Sequence, residues 1–319
     1  MSEPIVAVIG EALMDVVDTG DGARFTAHVG GSPLNVATGL ARLERPTAFL
    51  GRFSRDGFGR ILRGYAEGAG VNLDAAPDAD ERSTIAVVHL DDRGVARYDF
   101  TVEGTADWGW TADELAALPA SVRLLHWGSL ASWLPPGDAV IGAFVDSLRA
   151  RGDVVISYDP NVRPGLLGEA SEARGLVEPR VAAAHVVKAS SEDLDWLYPG
   201  VPHPDVAAQW LALGARLVFV TCGGYGTTAY RSGGEPITRP ALPIDPVDTI
   251  GAGDAFTSGL LDALLRAGVR SPGDLDGIGA RAVVGLLDEA AVVAGLTCAR
   301  AGANPPTRSE VRDFLAGGR

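Results

Sequence analysis

One stretch of the chain, residues 248–259, combines residue types that suit the transfer of a phosphoryl group. It reads Asp-Thr-Ile-Gly-Ala-Gly-Asp-Ala-Phe-Thr-Ser-Gly and opens a helical segment with apolar periodicity. Small residues at such a junction let backbone N–H groups crowd around an anion, which the positive end of the helix dipole also favours. We therefore predict that Gly251, Ala252 and Gly253 hold a phosphate, while Asp254 takes the proton of an acceptor hydroxyl.

A second group of residues has the polarity that a sugar-like acceptor requires. Gly30 and Gly31 let a ligand approach the backbone, and Asn35 offers an amide with both a donor and an acceptor. Asp15 follows the first apolar run, at the end of a strand where open α/β sheets bind ligands. Ser32 is predicted to cap the helix that begins at the next residue. A glycine hinge, a helix start and a solvated loop acid are the plain alternatives.

Two further loops carry groups that suit phosphate and metal binding. Arg163 lies between two prolines after a buried run, where its guanidinium can pair with phosphate or with substrate oxygens. A turn held by its own Asp and Asn is the alternative. Lys188 is the only lysine of the chain, which weakly indicates an ammonium retained near phosphate. Asp193 suits the waters of a bound Mg²⁺.

A glycine-rich turn at residues 221–226, Thr-Cys-Gly-Gly-Tyr-Gly, follows another buried run. The segment after it, residues 227–231, reads as a strand, so the dinucleotide-binding fingerprint fails because that fingerprint needs a helix there. No Gly-x-x-x-x-Gly-Lys-Ser/Thr motif occurs. Contact with nucleotide phosphates or ribose and a simple tight turn both remain open.

Composition narrows the class of protein. The chain has 319 residues and a net charge of −14, which argues against nucleic acid or an anionic membrane as its partner. Its two cysteines are too few for a disulfide framework or a structural zinc site. The first apolar run is too short for a signal peptide, and acidic residues interrupt the longest one. A cytoplasmic protein is the expectation.

Short apolar runs alternate along the chain with helical patterns. Most runs are continuous, which is typical of strands buried on both faces of a parallel sheet. The alternation predicts a doubly wound α/β fold. The strand candidates are residues 5–9, 48–52, 124–127, 154–159, 186–188 and 217–221, and the helical ones are 33–43, 58–67, 138–150, 191–197, 205–213, 255–267 and 280–297.

Two regions interrupt this order and predict a separate small sheet. Residues 24–29 alternate polar and apolar side chains, and residues 84–90 and 96–102 form a candidate hairpin around a turn at 91–94. Because these strands have no crossover helix, we expect them to project beside a ligand cleft as a lid that excludes water. An edge extension of the main sheet is the alternative. A projecting sheet needs its edges covered, which predicts a homodimer.

Taken together, these motifs resemble the ribokinase-like (pfkB) family of sugar kinases from Gly10 to about Pro306. Residues 248–259 look like the C-terminal signature of the family, and residues 30–43 look like its N-terminal glycine-pair region. Gly-Glu-Ala-Leu-Met-Asp and Asp-Pro-Asn-Val-Arg-Pro are most similar to its bacterial fructokinase branch. The resemblance implies one Rossmann-like three-layer α/β/α domain with a doubly wound, mostly parallel sheet, and a β lid over about 12–30 and 83–105.

The resemblance also implies ligands and a role for each site residue. ATP would donate the phosphoryl group, with Mg²⁺ and often K⁺ present. The sugar would be held by Asp15, Gly30, Gly31 and Asn35, with Asp254 as base and Arg163 near the reacting groups. The nucleotide would be held by Lys188, Ser190, Thr221, Gly223, Gly226, Gly251, Gly253 and Asn304. A monovalent cation would be held by the carbonyls of Asp248, Ile250 and Gly302.

The acceptor and one motif stay open. Fructose is the acceptor that the resemblance favours, and 2-keto-3-deoxygluconate, another hexose or a nucleoside are alternatives; Arg97, Tyr98 and Arg163 would suit a carboxylate. A non-catalytic sugar-binding sensor is disfavoured because both the acid and the glycine loop are intact. Many relatives carry Asn-x-x-Glu where this chain has Ser190 and Asp193, so Asp193 would reach Mg²⁺ through water.

Overall fold

A computed structural model describes residues 5–18, 24–90 and 96–317 of the chain, so the turn expected at 91–94 lies outside the described residues. The strands are β1 Val6–Ile9, β2 Leu13–Asp18, β3 Phe25–Gly30, β4 Thr47–Leu50, β5 Phe53–Ser54, β6 Asp78–Ala79, β7 Ile85–Leu90, β8 Ala96–Thr101, β9 Leu124–Gly128, β10 Val155–Asp159, β11 Val186–Ser190, β12 Leu217–Thr221, β13 Thr227–Arg231 and β14 Ile237–Arg239. The helices are α1 Ser32–Arg42, α2 Gly57–Gly68, α3 Ala112–Leu115, α4 Gly137–Arg151, α5 Pro164–Leu167, α6 Ala170–Ala183, α7 Ser191–Leu197, α8 His203–Leu213, α9 Ala252–Arg266, α10 Ala280–Cys298 and α11 Arg308–Gly317.

Eight of these strands form the large sheet, in the order β14-β13-β12-β11-β10-β9-β1-β4. The strands from β4 to β12 pair in parallel, and β13 and β14 add antiparallel at one edge. Every residue of β1, β4, β9 and β10 is buried, because helices cover both faces of the sheet. The predicted doubly wound α/β fold is therefore confirmed.

The two faces of the large sheet have separate apolar cores. In β1, Ala7 and Ile9 pack into one core with side chains of α4, α6 and α8, and Val6 and Val8 pack into the other with α1, α9 and α10. This alternation is the period of two expected for a strand. The result is three layers, in which the carboxyl ends of the parallel strands meet along one edge.

The small sheet has the order β3-β2-β7-β8 and is separate from the large sheet, so the alternative of an edge extension is wrong. Its β3 and its β7–β8 hairpin agree with the sequence prediction. The strand β2 was not predicted, and Asp15 lies within it rather than in a loop after the first strand. Asp15 is opposite His28 on one side and Ala86 on the other. Pairing with two strands therefore fixes the position of this acid.

Two local predictions need correction. Helix α1 begins at Ser32, and its N-cap is Gly31 with φ 102°, so Ser32 does not cap the helix and its hydroxyl is used elsewhere. Helix α6 was not predicted, because Pro179 lies inside it and a proline usually ends a helical pattern. Among the described residues, no helix has both the length and the apolar composition needed to cross a membrane.

Candidate active site

A cavity of about 330 Å³ opens between the small sheet and the carboxyl edge of the large sheet. This volume lies within the range of roughly 300–1,000 Å³ that is usual for small-molecule sites. Its lining residues come from both sheets and from two helix starts: Glu11, Leu13, Asp15, Gly31, Ser32, Asn35, Phe100, Ser129, Leu130, Arg163, Thr249, Ile250, Gly251 and Asp254. We call it the central cavity. It brings together seven of the residues predicted from the sequence.

Asp254 lies at the third position of α9, at the positive end of that helix. Its carboxylate accepts hydrogen bonds from the Ser32 hydroxyl at 2.7 Å and from the Asn35 amide at 2.9 Å. Burial raises the pKa of Asp254, although both hydrogen bonds and nearby Lys188 lower it. A carboxylate that is partly desolvated and held by neutral donors suits a general base.

Asp15 faces the same cavity from β2. Burial raises its pKa to about 6, while Arg163 and His28 lower it. Gly30 is needed beside it, because a Cβ at this position would lie 2.2 Å from Asp15 Oδ2. Any larger residue at position 30 would displace the carboxylate. The Asp15 side chain therefore reaches the cavity because Gly30 beside it has no side chain.

Lys188, in the middle of β11, lies close to the first turn of α9. Its ammonium bonds Asp159 Oδ2 at 2.9 Å and would lie 3.1 Å from a Cβ placed on Gly253. Burial opposes the charge on Lys188, but Asp159 and Asp193 outweigh it and raise the pKa. The sequence signal for this residue was weak, and the structure places a buried cation beside the first turn of α9. Such a cation favours a phosphate held by the same turn.

The three residues predicted to hold a phosphate, Gly251, Ala252 and Gly253, form the start of α9, where the Ala252 amide already has an acceptor. Gly251 has φ 73° and caps α9, and a Cβ there would lie 2.6 Å from the Cβ of Ala303. The Ala252 amide donates to the Thr249 carbonyl at 3.2 Å. Left-handed backbone and tight packing therefore both require glycine at position 251.

Arg163 lines the central cavity beyond the end of β10. Its Nη1 donates to Asn161 Oδ1 at 2.8 Å. Asn161 and Ser129 both have positive φ, 41° and 54°, a conformation that costs about 1–3 kcal/mol in a residue other than glycine. Such strain is maintained only where neighbouring contacts fix the backbone.

Two buried acids were not predicted as site residues: Glu11, which lines the central cavity, and Asp107, which does not. Glu11 follows β1, and its Oε2 accepts the Ala131 amide at 3.1 Å. Asp107 accepts the Ala12 amide at 2.9 Å and the Thr84 hydroxyl at 2.5 Å. Burial raises the pKa of each to about 7. The position of Glu11 after a buried strand was the available sequence signal, whereas Asp107 is distant in sequence and gave none.

The residues predicted for the nucleotide lie further along the same edge. Ser190 at the end of β11 is directly opposite Thr221 at the end of β12. The turn with Gly223 and Gly226 follows, and Gly226 has φ 102° with the Arg239 carbonyl against it. None of these four residues lines the central cavity, so they form a separate group beside Lys188. Asn304 is directed elsewhere, since its Oδ1 accepts from Arg42 Nη1 at 2.6 Å.

The residues predicted to bind metal ions differ in how their oxygens are used. Asp193 accepts the Val162 amide at 2.9 Å and the Ser190 amide at 3.0 Å, so both its oxygens already bond backbone. Burial raises its pKa. Asp248 joins the other two predicted ligands, because its oxygens accept the amides of Ile250 at 2.9 Å and Gly302 at 2.8 Å. In the part of the chain that the structure describes, no cluster of three acidic, histidine or cysteine side chains is built to hold a metal.

The chain was compared with known proteins. The model of the pfkB family carbohydrate kinases matches residues 4–309. The fructokinase of Rhizobium leguminosarum bv. trifolii is 35% identical over 263 residues, which cover 82% of this chain and 79% of that protein. A solved structure of Xylella fastidiosa fructokinase with bound ATP has a TM-score of 0.88 at 27% identity, covering 98% of each chain.

A second solved structure adds a sugar. Fructokinase from Vibrio cholerae O395, with fructose, ADP and a calcium ion bound, has a TM-score of 0.84 at 26% identity and covers 99% of this chain and 100% of that one. The family model and both solved structures span nearly the whole chain. The chain belongs to the pfkB family of carbohydrate kinases, phosphotransferases that act on an alcohol group.

Proposed function

We propose that this chain is an ATP-dependent fructokinase that transfers the γ-phosphate to a primary hydroxyl of the sugar. The observation that carries the proposal is the Asp254 carboxylate, which lies in the central cavity beside the start of α9 and is held by Ser32 and Asn35. The relatives named as fructokinases, with ATP or with fructose and ADP bound, support this assignment.

In this proposal the sugar occupies the central cavity. Asp15 and Asn35 bond its hydroxyls, Gly30 and Gly31 let it approach the backbone, and Arg163 faces the reacting groups. The primary hydroxyl points to Asp254, which takes its proton as the oxygen attacks the γ-phosphorus and the bond to ADP breaks. Because Asp254 must be ionised, activity falls as pH drops through its raised pKa.

The start of α9 then stabilises the transferring group. In this proposal the amides of Gly251 and Gly253 bond the phosphoryl oxygens, the Ala252 amide would have to leave the Thr249 carbonyl to join them, and Lys188 adds a positive charge beside Gly253. Ser190, Thr221, Gly223 and Gly226 lie along the strand ends where we place the nucleotide, whereas Asn304 would first have to leave Arg42 to reach it. The position of Lys188 between the two groups suits the phosphates.

In this proposal the protein supplies only a few of the groups that bind the metal ions. When bound, Mg²⁺ neutralises charge on the phosphates, which supply most of its ligands in such enzymes. Asp193 reaches it only through water, because its oxygens already accept two amides. The Asp248 carboxylate fixes the loops whose carbonyls, from Asp248, Ile250 and Gly302, suit K⁺.

The small sheet acts in this proposal as a lid over one ribokinase-like domain, formed by about 12–30 and 83–105. It carries Leu13, Asp15 and Phe100 into the central cavity, so its closure removes water from the reacting groups. A homodimer and a cytoplasmic location stay predictions from the sequence. Light scattering and fractionation test them.

An acceptor screen tests the function. Purified protein is given ATP and Mg²⁺ with fructose, glucose, ribose, 2-keto-3-deoxygluconate or adenosine, and both ADP release and phosphorylated product are measured. We expect the highest kcat/KM with fructose. A preference for 2-keto-3-deoxygluconate, which Arg163 in the cavity favours as the second candidate, would replace fructose. Sugar binding without any turnover would establish a sensor.

A further inference from the structure

The strained backbone of the chain is concentrated beside the central cavity. Among the described residues, three residues other than glycine have positive φ: Glu44, Ser129 and Asn161. Glu44 is exposed at the end of α1, but Ser129 and Asn161 follow the adjacent strands β9 and β10 and contact each other. We call Ser129 and Asn161 the strained pair. Strain at two neighbouring strand ends indicates that their side chains are held for a purpose.

The strained pair belongs to a chain of hydrogen bonds with a consistent direction. Arg163 Nη1 donates to Asn161 Oδ1 at 2.8 Å, and Asn161 Nδ2 donates to Ser129 Oγ at 3.3 Å. Beyond Ser129 lies the buried carboxyl of Glu11, which lines the same cavity and whose pKa the Ser129 hydroxyl lowers. The two bonds run in one direction, from the guanidinium through the Asn161 amide to the Ser129 hydroxyl, an arrangement in which successive bonds polarise one another.

Hydrogen bonds that involve backbone amides hold Ser129, Asn161 and Glu11 in place. The Ser129 amide donates to the Asp159 carbonyl at 2.9 Å, and the Asn161 amide donates to Asp159 Oδ1 at 3.1 Å. Glu11 also accepts the Ala131 amide at 3.1 Å, which closes the turn that follows Ser129. Glu11 and Arg163 line the same cavity, and their charges attract one another.

We infer that Glu11 is a positioning residue for phosphoryl transfer, which acts through Ser129 and Asn161 to fix the guanidinium of Arg163 in the central cavity. The inference rests on the proposed function, since it concerns the same site. Glu11 holds the strained turn of Ser129, Ser129 orients the Asn161 amide, and that amide presents its oxygen to Arg163. A cation held in this way is aligned before the substrate arrives, which lowers the cost of orienting the reacting groups.

Two substitutions interrupt this series of hydrogen bonds at different points without changing the backbone conformation. Glu11→Gln keeps the shape and an acceptor for the Ala131 amide but removes the negative end. Asn161→Gly keeps positive φ, which glycine adopts freely, and removes both side-chain hydrogen bonds. Glu44→Gly is the matched control, because it relieves positive φ away from the site. Each is made alone, and the first two are combined with Arg163→Ala.

We expect Glu11→Gln and Asn161→Gly each to lower kcat/KM by about tenfold, with KM for ATP nearly unchanged. Added to Arg163→Ala, neither should lower kcat/KM by more than about a further twofold, because the group they act through is gone. Glu44→Gly should retain wild-type kinetics. Circular dichroism and thermal melting establish whether each variant is folded. If Glu11→Gln does not fold, Asn161→Gly alone carries the test.

The inference is overturned if either variant alone has wild-type kcat/KM, or if its effect multiplies fully with that of Arg163→Ala. It is overturned as well if Arg163→Ala is without effect. Kinetics are measured with whichever acceptor the screen selects, so a wrong choice of sugar does not affect the test. Absence of turnover of the wild-type protein with every acceptor overturns both the proposed function and this inference.

Discussion

Helices α7 and α9 begin at the same edge of the large sheet, and each has an aspartate as its third residue. In α7, Ser190 is the N-cap, and its hydroxyl and Asp193 bond each other's backbone amides in a capping box. In α9, the N-cap is Gly251, which offers no side chain, and Asp254 instead bonds Ser32 and Asn35 of α1. One acid closes its own helix start, and the other faces the central cavity.

In these two helices the residue at the N-cap decides how the acid in the first turn is used. A serine there engages the acid locally and satisfies two amides that the helix leaves without partners. A glycine offers the acid no local partner, so in α9 the acid is bonded by Ser32 and Asn35 of another helix and lines the cavity. Asp193 also accepts the Val162 amide, so it positions the loop before Arg163 rather than the substrate.

The strongest test replaces each acid with its amide. Asp254→Asn removes the proposed base and should lower kcat by about 10²–10⁴-fold, because no base remains to take the proton of the sugar hydroxyl. Asp193→Asn is the matched control and should keep kcat within about tenfold, since its role is to bond amides. Steady-state kinetics and sugar binding by calorimetry measure both. Equal losses of kcat would end the distinction between the two helix starts.

A second test alters the N-cap of α9. Gly251→Ala places a Cβ 2.6 Å from that of Ala303 at φ 73°, so it should lower the free energy of unfolding by more than about 1 kcal/mol and displace the first turn. Chemical denaturation measures the stability, and kinetics should show a loss of kcat. Gly268→Ala, at φ 92° after the same helix, controls for backbone strain alone. If both variants had equal kcat, the start of α9 would have no special role.

The pH profile tests the hydrogen bonds to Asp254. The bond from Ser32 lowers the pKa of this acid, so Ser32→Ala should raise it further. Because the ionised form is the base, the acidic limb of the kcat/KM profile should move to higher pH. Ser191→Ala, at the start of α7, should leave that limb in place. A shift of the limb to lower pH would contradict the proposed role.

The smallest effect is expected from removing the cap of α7. Ser190→Ala deletes the hydroxyl that accepts the Asp193 amide at 3.0 Å and should lower the free energy of unfolding by about 1 kcal/mol. The kcat should stay within about threefold of wild type, since Asp254 keeps its partners. Urea denaturation and steady-state kinetics measure the two effects. A large loss of kcat with intact stability would place Ser190 in the reaction.

Most of the large sheet could be predicted because its strands are continuous apolar runs of the length that buried parallel strands require. Strand β2 could not, since Asp15 and Asp18 interrupt its apolar residues and its pairing with β3 and β7 lies outside the local sequence. The cap of α1 was misassigned for a similar reason. Ser32 fits an N-cap by type, but Gly31 at φ 102° takes that position and the Ser32 hydroxyl bonds an acid 222 residues away.

Features that depend on neighbouring residues could be read from the chain alone: the alternation of strands and helices, the small residues before Asp254, and the acid that follows them. Tertiary structure alone decided which groups meet. Asn35 and Asp254 are 219 residues apart and bond because α1 and α9 pack on one face of the sheet, and Lys188 reaches Gly253 from a different strand. Such contacts depend on how whole elements pack, because a hydrogen bond needs its two atoms within about 3 Å of each other, whatever their separation along the chain.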